Sequence, residues 1–181
     1  MNNYYYTVAA LETISLGEKV PISEEKFLQF AEDTLEEKDY KVLVKTRWGL
    51  TEPTGLPFAD QILSWEKELR LELAKARILK LDFEPAQALP TSDGYYALLE
   101  QVRAVMALDS PLDAEHFLDR LRWNFLEEMG SGHFFDLEAL VVYYLKLQLA
   151  LRQVKFQEEL GRESFEKAYA AVTDSFNLTT L

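Results

Sequence analysis

Cysteine is missing from the sequence altogether, which excludes disulfides and thiolate metal sites and fits a reducing compartment. Histidine occurs twice, as His116 and His133. Neither phosphate-cradling pattern, G-x-G-x-x-G or G-x-x-x-x-G-K-[ST], is present, so nucleotide binding of those kinds is not expected. The Gly-x-Ser-x-Gly elbow of a serine hydrolase is also absent, and Gly130-Ser131-Gly132 lacks its spacing. No apolar run approaches the roughly 20 residues that span a bilayer. The opening stretch has no basic run and carries Glu12 early, so no secretory signal is expected and the location reads as cytoplasmic.

Basic residues are the scarce charge. Nineteen Lys and Arg stand against 31 Asp and Glu, a net charge of −12. That balance argues against nucleic acid as a partner and against insertion into, or adsorption on, an anionic membrane. Between Glu12 and Tyr40, nine acids face only Lys19, Lys26 and Lys38. Half the net charge therefore lies in that short region. It reads as a solvated helical face, or as a docking surface for a basic partner presented by Glu24, Glu25, Glu32 and Glu36.

What the sequence has in quantity is helical patterning. Leu137, Leu140, Val141, Tyr144, Leu147, Leu151 and Val154 recur at spacings of three and four, which places them on one helical face. Ala139, Val142, Tyr143, Leu145 and Leu149 fill the flanks, so a helix near 136–159 is apolar almost all round and is expected to be buried. Phe58, Ile62, Trp65, Leu69, Leu73, Ala76 and Leu79 predict a long amphipathic helix ending near Asp82. Its solvent face is assigned Glu66, Lys67, Glu68, Arg70, Glu72, Lys75, Arg77 and Lys80, with Glu66 and Arg70 as an i,i+4 pair.

Helix starts are readable at Ser23, with Glu24 and Glu25 in the first turn and Ile22 and Phe27 as a staple, and at Ser110-Pro111-Leu112-Asp113. The first runs to about Thr34. A further helix is expected from about Glu36 to Trp48, and Gly49 to Pro57 is a loop. Pro85 and Pro90 break the chain, a turn at 91–94 leads into a helix over 95–108, and Phe117, Leu121, Phe125 and Met129 give the helix after Ser110 its apolar stripe. A last short helix is expected around Phe165 to Phe176. The fold class is all-α: a multi-helix bundle of about seven helices, one domain over 1–181, or two lobes, 1–90 and 91–181, sharing a core.

Asp113-Ala114-Glu115-His116 sets carboxylates and an imidazole within one turn, as in half of a helical di-metal site. The second copy that such sites require is missing, so neither a metal nor any other cofactor is expected. Tyr4, Tyr5 and Tyr6 are adjacent, and three neighbouring rings cannot all point inward from one element. At least one meets solvent or a partner. From residue chemistry the protein is a structural or interaction protein and not an enzyme.

Two stretches resemble a known family. Residues 110–126, from Ser110-Pro-Leu-Asp through Arg-Trp123 to Leu126, are similar to the acidic-helix-then-Trp pattern of the C-type subunit of V/A-type ATPases (the d-type one in eukaryotes). Residues 134–152 resemble the aromatic, acid, Leu-x-x-Tyr, Lys, Arg helix of the same family. The opening Tyr4-Tyr-Tyr-Thr-Val-Ala-Ala-Leu11 and residues 24–39 look like a short bacterial family of unassigned function, encoded beside V-type ATP synthase genes. The resemblance implies a non-catalytic adaptor between the central stalk and the membrane rotor ring, peripheral at the inner face of the membrane, with other V-type ATPase subunits as partners. It also implies fold-fixing roles for Asp113, Glu115, Trp123, Tyr144, Lys146 and Arg152. Members of the C-type family are about twice as long and built of three similar units, so this chain matches only part of one. A free-standing helical binding module or regulator unrelated to the ATPase is the alternative.

Overall fold

The helix with the most apolar sequence sits at the centre. In the computed structural model, which describes residues 3–81 and 98–155, α7 (Leu137–Val154) packs against α3 (Glu37–Lys45), α4 (Pro57–Leu81) and α6 (Pro111–Met129). Leu140, Val141, Tyr144, Leu145 and Leu147 are wholly inaccessible. A helix apolar on most sides needs neighbours on most sides, and α7 has them. It starts at Asp136, whose carboxylate accepts from the Ala139 amide at 3.0 Å. It ends at Val154, short of the expected reach to 159, which lies outside the described residues.

The remaining described helices are α1 (Tyr5–Ala9), α2 (Glu24–Thr34) and α5 (Leu99–Met106). No strand occurs among the described residues, and the protein is an all-α bundle. Local chemistry explains the boundaries. Ser23 caps α2 by accepting from Lys26, and Ser110 caps α6 by accepting from Asp113, with Pro111 at the first turn. Phe27 is fully buried, with Ile22 packed on the same core. The expected helix over 36–48 is shorter, because the chain leaves helical geometry at Thr46 and turns Trp48 back onto α7. Residues 91–97 and the expected helix around 165–176 lie outside the described residues.

Two apolar clusters form the interior. One gathers α2, α3 and α7 around Phe27, Leu43 and Tyr144; the other joins Trp65, Leu69 and Leu73 of α4 to Val102 and Val105 of α5 and Leu118 of α6. Trp65 stacks on Phe125 at 4.1 Å between ring centres. The α4 stripe is buried from Ile62 through Leu73, but Leu79 is 82% exposed. Lys80 reaches the Met106 carbonyl at 3.0 Å, so α5 covers a different side of that helix end.

Two faces depart from the sequence reading. Glu66 and Glu68, assigned to the solvent face of α4, are buried. On α6 the buried positions are Leu118, Asp119, Arg122, Trp123 and Leu126, whereas Phe117 is exposed and Leu121, Phe125 and Met129 are half-buried. The inward face of α6 is thus rotated toward its charged residues. It tolerates them because other helices bring the opposite charges.

Candidate functional site

The meeting of α4, α6 and α7 is built from ions. Glu66 is 1% exposed and takes a two-pronged contact from Arg122: Nε donates to Oε2 at 2.9 Å and Nη2 to Oε1 at 3.0 Å. Arg70 Nε donates to the same Oε1 at 2.6 Å. Asp119, with no accessible surface, accepts at Oδ1 from Arg122 Nη1 (3.2 Å) and from Arg152 Nη1 (2.7 Å). Arg152 also pairs with Glu115. One unbroken chain of charge therefore links Arg70, Glu66, Arg122, Asp119, Arg152 and Glu115. Forked guanidinium–carboxylate contacts are the strongest of protein hydrogen bonds and fix orientation as well as distance.

The electrostatics follow from burial. For Arg122, burial opposes the charge, but the hydrogen bonds to Glu66 and the fields of Glu66, Asp119 and Glu115 outweigh it, holding the guanidinium above its ordinary pKa. Burial pushes the Asp119 carboxyl above its usual value, against the pull of Arg152 and Arg122. Its Oδ2 has no hydrogen-bond partner among the described residues.

This network opens on a cleft of about 560 Å³. Arg70, Leu73 and Arg77 form one wall, at the i, i+3, i+7 spacing of one face of α4. Arg122, Arg152, Trp48 and Gln148 also line it. Trp48 is held in place: its indole N–H donates to the Leu145 carbonyl at 3.0 Å, and Gln148 Nε2 donates to the Thr46 carbonyl at 3.2 Å. Among the described residues, four guanidinium groups meet three carboxylates here, a positive excess inside an acidic protein. Chemically, such an arrangement of donors suits a negatively charged group.

Of the residues singled out in the sequence, Glu115, Arg152 and the Glu66–Arg70 pair enter this network. Lys146 and Trp123 make a second contact on the α6–α7 seam. Lys146 lies 4.8 Å over the Trp123 ring, and both donate to Glu127 Oε1, at 3.2 and 3.1 Å. Asp113 is exposed at the start of α6. Tyr144 donates to Glu24 at 2.7 Å, and burial together with that carboxylate pushes its hydroxyl up to about 12. Glu25, Glu32 and Glu36 are exposed on the outer side of α2 and its end.

The three N-terminal tyrosines divide. Tyr4 is buried and donates to Asp39 at 2.5 Å, whereas Tyr5 and Tyr6 are 50% and 87% exposed. Tyr5 packs on Phe135 (4.7 Å between ring centres), beside the exposed Phe134. His133 and Asp136 pair at 2.7 Å with Glu138 nearby, a group of potential metal ligands. Since Asp136 is already the N-cap of α7, helix capping accounts for that arrangement.

Sequence reasoning paired Glu66 with Arg70, a contact the structure contains, but set Glu66 on the solvent face, and it missed Asp119 and Arg122. A signal existed in the spacing: Glu115, Asp119 and Arg122 repeat at four and three, a charged stripe in register with the buried Leu118 and Leu126.

A family model described as a protein of unknown function (DUF2764) matches residues 93–174, less than half of the chain and including α5, α6 and α7. No curated protein and no solved structure matches the sequence.

Proposed function

We propose that the protein is a non-catalytic helical adaptor of a V/A-type ATPase, similar to the C-type family, set between central stalk and rotor ring. The observation that carries the reading is the double bracing of the α6–α7 seam. Arg152 ties α7 to Asp119 and Glu115, and Lys146 ties it to Glu127 and Trp123. Four of these residues, Glu115, Trp123, Lys146 and Arg152, carry the resemblance to the C-type family, and all are engaged in holding helices together. A part that passes torque needs such stiffness more than it needs reactive groups.

Docking fits the N-terminal side. Exposed Tyr5, Tyr6, Phe134 and Phe135 offer aromatic anchors, and Tyr6 borders the same hollow as Glu36. The acids Glu25 and Glu32 extend that surface along α2. Aromatic anchors beside charge of one sign suit a partner with apolar and basic residues. No helix among the described residues is long and apolar enough to cross a membrane, so attachment in this reading runs through protein contacts.

The test is affinity capture of the tagged protein from gently solubilised membranes of its source. Recovery of head, central-stalk and ring subunits in fixed ratio is the expected result. Recovery of none of them overturns the proposal. Glu25, Glu32 and Glu36 changed together to Gln should reduce capture without loss of helicity; Glu24 is spared, because it anchors Tyr144.

A further inference from the structure

We propose that the cleft between α4, α6 and α7 is a binding site for a phosphate-bearing small molecule, held by Arg70 and Arg77. The inference does not depend on the adaptor reading.

Its first support is donor accounting. Arg122 and Arg152 have their guanidinium groups engaged by Glu66, Asp119 and Glu115. Arg70 is different: only Nε is bound, to Glu66, and its Nη1 and Nη2 have no acceptor among the described residues. Arg77, exposed on the same wall, has no ion-pair or hydrogen-bond partner among the described residues. Two guanidinium groups therefore present unused donors to one cleft, which the ion-paired Arg122 and Arg152 also line.

The site is also shaped. Gly49 has φ +86°, and a Cβ there would stand 3.0 Å from Arg70 Nη1. The missing side chain lets the Arg70 guanidinium lie against the backbone at the mouth of the cleft. Glu66 grips its inner edge and leaves the Nη edge outward. The orientation is thus prepared before any ligand arrives, which lowers the ordering cost of binding.

The choice of ligand follows from acceptor number. One carboxylate carries a single charge on two oxygens, whereas a phosphate group carries about two charges and three strong acceptor oxygens. Two arginines on one wall are better matched by the latter. Leu73, Leu149 and Trp48 leave room beside them for an apolar portion. The volume, about 560 Å³, is that of a small-molecule site. The overall negative charge of the protein opposes approach, but at physiological salt it is screened beyond roughly 8 Å and the local arginines dominate.

The test is calorimetric titration of the full chain with inorganic pyrophosphate, with succinate as a second arm. Saturable one-to-one binding of pyrophosphate, stronger than succinate, is expected. Arg70→Gln/Arg77→Gln should weaken it at least about tenfold, since each loses charge-assisted contacts. Arg77→Gln alone should weaken it measurably while leaving the helical circular dichroism unchanged, because that exposed side chain braces no other described residue. Arg103→Gln/Arg120→Gln, at exposed positions outside the cleft, removes the same net charge and should leave affinity unaltered. Absence of saturable binding overturns the proposal, as does equal weakening by the control pair. Tighter binding of succinate overturns the choice of phosphate.

Discussion

Glu66 and Arg122, 56 positions apart, meet edge to edge through two hydrogen bonds of 2.9 and 3.0 Å, both side chains almost wholly out of water. Such a contact is not by itself evidence of a large net stabilisation, because removing both charges from water costs several kcal/mol per ion. What it fixes is arrangement. The fork admits one relative placement of α4 and α6, and Asp119 and Arg152 extend the same constraint to α7.

The pair therefore makes an asymmetric prediction. Arg122→Met leaves Glu66 buried with only Arg70 against it and should cost about 3–5 kcal/mol. Glu66→Met/Arg122→Met removes both buried charges and should cost less than Arg122→Met alone, leaving Arg70 to water and Asp119 to Arg152. Urea unfolding of the wild type, Glu66→Met, Arg122→Met and the double variant at neutral pH measures this. Additive losses would show that the two side chains act independently, contrary to the geometry.

This network also marks where the sequence could and could not be read. The central position of α7 was legible because its apolar residues occupy nearly every side, and only burial satisfies such a helix. The starts of α2 and α6 were legible because Ser23 and Ser110 act through contacts three residues away. The inward faces of α4 and α6 were not. A lone Glu66 or Arg122 reads as a solvent residue, since a buried charge is tolerated only with its partner, and that partner lies on another helix. Leu79 failed for the opposite reason. Its spacing continues the stripe, but the helix end presents it to water.

A second prediction concerns alkaline pH. Burial, the hydrogen bond to Glu24 and its charge hold the Tyr144 hydroxyl protonated up to about 12, and burial with the charge of Glu12 does the same for Tyr143. Unfolded tyrosines ionise near 10. Between those values the native state binds more protons than the unfolded state, so stability is full below pH 10 and falls as pH rises toward 12. Tyr144→Phe should cost about 1 kcal/mol at pH 7, from the lost hydrogen bond. It should also flatten the decline above pH 10, and denaturation midpoints at pH 7, 10 and 11 give both numbers. An unchanged alkaline slope would assign the decline to other groups.

The last prediction separates backbone strain from placement of Arg70. Gly49 and Gly55 both sit at left-handed φ, +86° and +93°, a region that costs a residue with a Cβ roughly 1–2 kcal/mol. Their surroundings differ: a Cβ at Gly55 meets nothing within 4 Å, whereas at Gly49 it crowds the Arg70 guanidinium. That guanidinium is the far end of a long side chain, so it yields by moving and adds little further cost. Gly49→Ala and Gly55→Ala should therefore lose similar stability, about 1 kcal/mol each. Only Gly49→Ala should weaken pyrophosphate binding, because only there does relief of the clash turn the Nη donors out of place. Equal affinity in the two variants would mean that Arg70 binds without help from its backing. A larger stability loss at Gly49 would mean that the side chain cannot move, and that the Glu66 grip on its Nε is tighter than one exposed guanidinium edge implies.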